Sequence, residues 1–211
     1  NILVVGAGAV GGYFGGRLLQ AGHAVTFLVR EARAQQLATR GLVIHSPMGD
    51  VTLPQPPTVR ADTLDRHFDL ILLSCKAYDL DGCIASIRPA VGPQTVIVPL
   101  LNGMQHMAAL DSAFGAEHVL GGLCQISATL NEARDIVHLN RMQTLVVGGR
   151  DAAGQAKAQA FAHMLTSAGI TAPVAPDVLR AMWEKWVFIA SLAAPTTLMR
   201  AAVGPIVRAP G

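Results

Sequence analysis

The stretch that decides the fold is NILVVGAGAVGGYFGGRLLQAGHA, residues Asn1–Ala24. An apolar run, Ile2–Val5, is followed by glycines at Gly6, Gly8 and Gly11, and then by an apolar segment with helical periodicity. This pattern predicts a buried strand, a tight turn and a helix, with the sequence G-x-G-x-x-G at the turn.

The spacing of these glycines is typical of a turn that binds a dinucleotide. The first glycine permits the sharp turn, the second lets a pyrophosphate approach the backbone, and the third lets the helix pack closely on the strand. The helix N-terminus adds free N–H groups and the positive end of the helix dipole. A merely tight strand–helix corner is the alternative. The predicted cofactor-binding residues of the turn are Gly6, Ala7, Gly8, Ala9, Val10 and Gly11.

The composition is that of a folded protein with a large apolar core. Of the 211 residues, 51% are hydrophobic and only 14% are charged, so we do not expect disorder. The net charge of +2 includes no basic block of the kind that nucleic acid or an anionic membrane would attract. The longest apolar runs are of strand length, which predicts that the chain has no membrane span.

The three cysteines, Cys75, Cys83 and Cys124, do not have the spacing of metal ligands, and their number is odd. We therefore expect no metal site and reduced thiols in a cytoplasmic protein. The chain starts at Asn1 rather than at a methionine, and it stops at Gly211. Both ends are expected to be cut from a longer sequence.

The second predicted strand, Ala24–Val29, ends at Arg30, where an NAD-type site would carry an acidic residue for the ribose hydroxyls. A carboxylate would repel a 2′-phosphate, whereas a guanidinium can hold one with charge-assisted hydrogen bonds. Arg33 follows three residues later. The sequence therefore favours NADP(H) over NAD(H). The alternative is that Arg30 is a surface residue at the start of the next helix, Glu31–Arg40.

The rest of the chain alternates strands and helices, which predicts an α/β fold: a doubly wound, Rossmann-type parallel sheet. An antiparallel extension and the start of an all-α second domain follow it. We place the NADP-binding domain at residues 1–175 and the first part of the helical domain, apparently truncated, at 176–211. The predicted elements are a hairpin within Gly41–Leu53, a loop at Pro54–Pro57, strands Phe68–Ser74 and Thr95–Pro99, helices Asp79–Arg88 and Met104–Phe114, extension strands His118–Ala128, Asp135–Leu139 and Thr144–Gly148, helix Ala152–Ala168, an extended piece Thr171–Val174, and a helix from Asp177 to Ala194 that stops before Pro195.

Ligands of such sheets lie beyond the carboxyl ends of the strands. Four features stand at predicted strand ends, namely the glycine turn, Arg30, Lys76 and Asn102. A lysine directly after a buried strand needs a partner or water, so Lys76 is predicted to face a phosphate or carboxylate. An ordinary exposed lysine is the alternative for Lys76, and a simple N-G turn is the alternative for Asn102.

Several of these pieces together resemble the ketopantoate reductase (2-dehydropantoate 2-reductase) family. They occur in order along the whole chain: GAGAVG at Gly6–Gly11, Arg30 after the second strand, SP-x-G at Ser46–Gly49, SCKAY at Ser74–Tyr78, LLNGM at Leu100–Met104, and WEKW around Lys185. The resemblance implies a two-domain enzyme that uses NADPH to reduce the ketone of a 2-oxo acid.

The resemblance also assigns roles to individual residues. It implies that Lys185 is the general acid and contacts the substrate, and that Lys76 contacts the cofactor. It places Asn102 between nicotinamide and substrate, and the backbone of Ala128 on the cofactor. A lysine suits the acid role, because a positioned ammonium can stabilise and protonate the oxygen that gains charge on hydride transfer. The alternative for Lys185 is an amphipathic lysine whose stem covers core surface.

The sequence departs from the family where the family's asparagines hold the pantoate hydroxyl and carboxylate. The corresponding positions are Ile189, Ala193–Ala194 and Val203. Because these side chains cannot replace those hydrogen bonds, the resemblance supports the reaction class but leaves the substrate open. The family's remaining serine and glutamate would lie beyond Gly211.

Three hypotheses therefore remain from the sequence. The first is an NADPH-dependent 2-oxo acid reductase, and the second is an opine- or 6-phosphogluconate-type dehydrogenase with the same domain plan. The third is a non-catalytic NADP(H)-binding sensor. The expected partner is a small-molecule 2-oxo acid, without nucleic acid or membrane. The oligomeric state stays open, with a homodimer as one candidate.

Overall fold

The computed structural model describes residues 1–209, in which strands and α-helices alternate from the first residues onward. The strands are β1 Ile2–Val5, β2 Val25–Leu28, β3 Leu42–His45, β4 Val51–Leu53, β5 Thr58–Val59, β6 Phe68–Leu73, β7 Val91–Pro99, β8 Gly121–Leu130 and β9 Ile136–Gly148. The helices are α1 Ala9–Gln20, α2 Glu31–Arg40, α3 Leu80–Ile87, α4 Gln105–Phe114, α5 Ala152–Ser167, α6 Val178–Leu198 and α7 Val203–Arg208.

Five strands form a parallel sheet in the order β5-β2-β1-β6-β7. Successive residues of its central strands point to opposite faces of the sheet, as the two-residue period of a strand requires, and each face packs into its own hydrophobic core. Val4 and Leu72 pack with α1 and α5 on one face, whereas Val5 and Leu73 pack with α3 and α4 on the other. This confirms the predicted doubly wound, Rossmann-type sheet. It also brings the carboxyl ends of β1, β2, β6 and β7 to one edge.

The antiparallel extension is a second sheet of mixed direction, with the order β4-β3-β9-β8. The predicted hairpin is confirmed as the antiparallel pair β3 and β4. The prediction of two strands at Asp135–Leu139 and Thr144–Gly148 was wrong, because β9 runs unbroken and pairs with β8 over most of its length. β3 joins β9 in parallel through Ile44 and Ile136, a pairing between distant segments that local periodicity cannot reveal.

The loop predicted at Pro54–Pro57 leads directly into β5, a two-residue edge strand that pairs with β2. The extended piece after α5 is confirmed, since Thr171 and Val174 make parallel bridges to β9. Helix α6 then begins at Val178. Asp177 caps it, because its side chain accepts a hydrogen bond from the Arg180 N–H at 3.0 Å. The proposed domain boundary between residues 175 and 176 falls in the short connection before α6. The last two residues of the proposed second domain lie outside the described residues.

The predicted stop of this helix at Pro195 was wrong, because α6 continues through it to Leu198. A proline inside a helix removes one backbone hydrogen bond. Here the stretch from Ser191 to Pro195 is exposed, so water can satisfy the carbonyl group that loses its partner. Among residues 1–209, no helix combines the length and the hydropathy that a membrane span requires.

Candidate active site

The glycine turn between β1 and α1 has a different physical requirement at each glycine. Gly6 has φ of +92°, in the region that side chains rarely adopt. At Gly11 an added Cβ would overlap both Ser74 Oγ and the Gly6 carbonyl oxygen. At Gly8, in contrast, no described atom lies within 4 Å of where a Cβ would stand. The turn is thus closely packed on its inner side and open at Gly8.

Ser74 fastens this turn to the neighbouring strand. Its hydroxyl donates to the Val5 carbonyl at 2.7 Å and lies 3.3 Å from the Gly6 carbonyl. In the sequence Ser74 stands out only as part of the SCKAY motif, which gives no sign of this role. Gly8 occupies the N-cap position of α1 and has no side chain to accept from the first N–H groups. Those N–H groups therefore remain available to an anion at the turn.

A groove of about 1090 Å³ runs from the glycine turn past the ends of β2 and β6; we call it the turn groove. Arg30 lies in its wall, as the sequence predicted for a residue at the end of β2. The Arg30 side chain is 86% exposed and bridges the groove to Asp79, with Nη2 2.9 Å from Oδ1. The other residues that contribute side-chain charge to the groove are Glu31, Arg33, Arg60, Asp62 and Arg134.

A second groove of about 1100 Å³ lies between the strand ends and α6; we call it the α6 groove. It brings together Lys76, Asn102 and Lys185, three residues that the sequence had placed at separate positions. Lys76 and Asn102 are exposed, whereas Lys185 is partly buried. Cys75 lines both grooves, so the two adjoin at this residue.

The Lys185 ammonium is held from behind by the backbone of β8. Its Nζ donates to the Cys124 carbonyl oxygen at 2.6 Å. Burial lowers the pKa of Lys185, because desolvation disfavours the charged form. Burial also raises the pKa of the Cys124 thiol beside it. The result is a fixed ammonium that gives up a proton more readily than an exposed lysine does.

Helix α6 is seated directly on the turn that carries Asn102. Gly103 has φ of +82°, and a Cβ at that position would stand 3.6 Å from the indole ring of Trp186. The ring next to Lys185 in sequence therefore packs over the N-G turn. This contact sets the distance between the Asn102 turn and the helix that carries Lys185.

The apolar positions at which the sequence departs from the family lie only partly in the α6 groove. Ile189 lines the α6 groove, together with Phe188 and Leu192 of the same helix. Ala193 and Ala194 are exposed on α6, and Val203 is exposed in α7. The groove lining includes Ser127, the neighbour of the predicted cofactor-binding residue Ala128. Ala128 itself is half-buried and pairs with His138 of β9.

The lining of the α6 groove also includes residues of β9 that the sequence did not predict. Asn140 and Met142 of β9 line the α6 groove, and Asn140 Oδ1 accepts from the Met142 N–H at 3.0 Å. Behind them, buried His138 contacts Ser46 Oγ through Nδ1 at 2.9 Å and the Met142 carbonyl through Nε2 at 2.9 Å. No local signal could have found these residues, because β9 is brought to the groove by its pairing with β8.

This chain is similar to known oxidoreductases. A family model described as Ketopantoate reductase PanE/ApbA matches residues 2–152. The protein named Uncharacterized oxidoreductase YkpB, from Bacillus subtilis (strain 168), is 39% identical over 206 residues, which are 98% of this chain and 67% of that protein. A 2-dehydropantoate 2-reductase from Nostoc sp. is 27% identical over 191 residues, which are 88% of this chain and 59% of its own length.

Among solved structures, the 2-dehydropantoate 2-reductase from Geobacter metallireducens GS-15 matches with a TM-score of 0.90 and 32% sequence identity. The match covers 99% of this chain and 68% of that one. This chain therefore spans about two thirds of the length of the Bacillus and Geobacter proteins and about three fifths of the Nostoc protein.

Proposed function

Because this chain belongs to the ketopantoate reductase family, we propose that it forms the cofactor half and part of the catalytic site of a cytoplasmic, NADPH-dependent reductase. Its substrate is a 2-oxo acid and its product the corresponding 2-hydroxy acid. The observation that carries the proposal is the Lys185 ammonium, fixed at 2.6 Å on the Cys124 carbonyl in the groove that also contains Asn102 and Lys76.

The residues at the strand ends fit a nicotinamide dinucleotide. The open space at Gly8 suits the pyrophosphate, and the uncapped N–H groups at the start of α1 could donate hydrogen bonds to it. Arg30 would hold the 2′-phosphate end in the turn groove. Lys76 and Asn102, together with the backbone near Ala128, would hold the nicotinamide end in the α6 groove. When bound, the cofactor supplies the hydride that reduces the ketone.

The chain's own residues supply the proton and the orientation. As hydride reaches the carbonyl carbon, negative charge develops on the substrate oxygen, and an ammonium in a partly desolvated groove stabilises it. Lys185 then gives its proton to that oxygen, and burial makes this transfer easier by lowering the pKa of Lys185. The Cys124 carbonyl keeps Nζ in place, while the Asn102 amide can bind the substrate.

The test of this function is NADPH oxidation by the full-length protein with a panel of 2-oxo acids. The proposal expects turnover with at least one of them. NADPH binding without turnover across the panel would favour a non-catalytic sensor instead. The full-length protein is needed because this chain spans only part of its relatives.

Replacing Arg30 with aspartate is expected to weaken NADPH binding by about 1–3 kcal/mol, the scale of a lost hydrogen bond to a charged group. NADH, which has no 2′-phosphate, should bind with little change. Isothermal titration with both cofactors measures this difference. The matched control is Asp79→Asn, which removes the competing partner of Arg30 and should leave NADPH affinity equal or higher. Equal losses for both cofactors in Arg30→Asp would remove Arg30 from the recognition of the 2′-phosphate.

The apolar side chains that helix α6 contributes to the α6 groove lead us to propose a substrate with an apolar side chain. Phe188, Ile189 and Leu192 line the groove on this side, and none can pair with a substrate hydroxyl. Burying a hydroxyl without a partner costs on the order of 1–3 kcal/mol. An apolar 2-oxo acid should therefore exceed ketopantoate at least about tenfold in kcat/KM, since 1.4 kcal/mol is a factor of ten.

Steady-state kinetics of wild type and Ile189→Asn, each with both substrate types, check this expectation. The amide should move the ratio back toward the hydroxylated substrate. This preference would be contradicted if the unmodified protein reduced ketopantoate faster than every apolar 2-oxo acid tested. In that case the hydroxyl has another partner, and the amides of Asn102, Gln125 and Asn140 in the groove lining are the candidates.

A further inference from the structure

The turn groove carries more positive charge than its carboxylates neutralise. Four arginines line it, namely Arg30, Arg33, Arg60 and Arg134, against the three carboxylates Glu31, Asp62 and Asp79. Arg60 is paired with both Glu31 and Asp62, and Arg30 is paired with Asp79. Within residues 1–209, Arg33 and Arg134 are the two arginines of this groove that make no salt bridge. The excess charge is therefore concentrated on one side.

Arg33 is a half-buried guanidinium fixed beside the glycine turn. Its Nε donates to the Ala7 carbonyl at 3.1 Å, and its Nη1 donates to the Arg134 carbonyl at 3.1 Å. Burial and the nearby charge of Arg134 both lower the pKa of Arg33. The charge of Arg134 thus disfavours the charged form of Arg33, and an anion bound to both guanidiniums would offset this repulsion.

Arg134 reaches the groove from a distant part of the chain, the tip of the β8–β9 hairpin. The tip is a defined turn: the Arg134 N–H donates to the Asn131 carbonyl at 2.9 Å, and Arg134 itself has φ of +64°. Helix α2 holds the tip through a second residue as well, since Gln36 Nε2 donates to the Ala133 carbonyl at 2.8 Å. The neighbouring carboxylate of Asp135 lies 3.5 Å from Arg40 and 3.7 Å from His45 Nε2, and its charge opposes only part of the lowering of the Arg33 pKa.

We propose that Arg33 and Arg134 form a phosphate site that binds the 2′-phosphate of NADPH together with Arg30, so that the second sheet contributes directly to cofactor selectivity. The inference rests on the proposed function. Two guanidiniums match the two negative charges of a phosphate monoester and can give it paired, charge-assisted hydrogen bonds. Arg30 lies at the N-cap of α2 and Arg33 in its first turn, so both face the end of β2, where the ribose hydroxyls of a bound dinucleotide lie.

The experiment compares NADPH and NADH binding by isothermal titration in full-length wild type, Arg134→Gln and Arg88→Gln. Arg88 is the matched control, because it also loses one positive charge but lies on another face and donates to the Ala113 carbonyl. We expect Arg134→Gln to raise the NADPH Kd about tenfold and the NADH Kd less than twofold, and Arg88→Gln to change neither appreciably. Adenosine 2′,5′-bisphosphate should lose affinity in Arg134→Gln, while adenosine 5′-monophosphate should not.

Different failures of this experiment have different meanings. An unchanged NADPH preference in Arg134→Gln would overturn the inference alone and leave Arg30 as the phosphate residue. Equal affinity of wild type for NADPH and NADH would overturn it together with the NADPH part of the proposed function. Equal loss of both cofactors in Arg134→Gln, without a change in thermal unfolding, would assign Arg134 to the shape of the groove and also overturn the inference.

Discussion

Replacing Lys185 with alanine is expected to lower kcat by about 10²–10⁴-fold, the usual contribution of a general acid. The Kd of NADPH should barely change, because Lys185 lines the α6 groove, whereas Gly6 and Gly8 of the turn that we propose for the phosphates line the turn groove. Steady-state kinetics and cofactor titration on the full-length variant measure the two quantities separately. A kcat near that of the wild type on the best substrate would remove Lys185 from the mechanism.

Lys157→Ala is the matched control for this variant. Its ammonium also donates to a backbone carbonyl, that of Glu117 at 3.1 Å, but it lies outside both grooves. It should therefore keep the wild-type kcat. If both lysine variants lose activity equally, the effect on Lys185→Ala is one of general stability.

The pH profile gives a second readout of the same group. Lys185 donates only while it is protonated, so reduction should slow as the pH rises through its lowered pKa. That alkaline limb should lie below the pH at which an exposed lysine loses its proton. The other titratable groups that line the α6 groove are Cys75, Lys76, Cys124 and Glu184, and Glu184 is paired with Arg180 at 2.8 Å. Retention of the limb in Lys185→Ala would assign it to one of these groups.

Single methyl groups added at the glycine turn should have two different and large effects. Gly11→Ala places a Cβ against Ser74 Oγ and the Gly6 carbonyl, so either the α1 helix or the turn must shift. We expect a loss of about 1–3 kcal/mol in the free energy of unfolding, the cost of overpacking a close contact. Gly8→Ala has open space around it and should unfold like the wild type.

Cofactor binding should distinguish the same two variants. The added methyl group at Gly8 would occupy the space through which we propose that the pyrophosphate approaches. We therefore expect NADPH to bind about tenfold or more weakly, since overpacking costs on the order of 1–3 kcal/mol. Chemical denaturation and titration of Gly8→Ala, with wild type beside it, check both statements. Wild-type NADPH affinity in Gly8→Ala would contradict the placement of the phosphates at this turn.

The fold could be predicted from the sequence to the extent that its signals are local. The strand, glycine turn and helix of Asn1–Ala24 formed as expected, and α2 matches its predicted bounds at Glu31–Arg40. Because parallel strands share one carboxyl edge, the rule for strand ends also brought Arg30, Lys76 and Asn102 to the same side of the sheet.

The rest of the candidate site depends on contacts between distant segments. The pairing of β3 with β9, the approach of the Arg134 tip to α2, and the Cys124 carbonyl behind Lys185 leave no pattern in the nearby sequence. They follow from how the second sheet and α6 pack on the first sheet. The roles of the individual residues, and the boundary between residues 175 and 176, stay predictions.

The most direct test of the central claim follows the hydride itself. Full-length protein is supplied with NADPH that carries deuterium in the transferable position of the nicotinamide, together with an apolar 2-oxo acid. The account predicts one 2-hydroxy acid for each NADPH consumed, with the deuterium bound to its C2 carbon, and loss of this product in Lys185→Ala. NADPH that binds but is not oxidised, or a hydroxy acid without deuterium at C2, would contradict it.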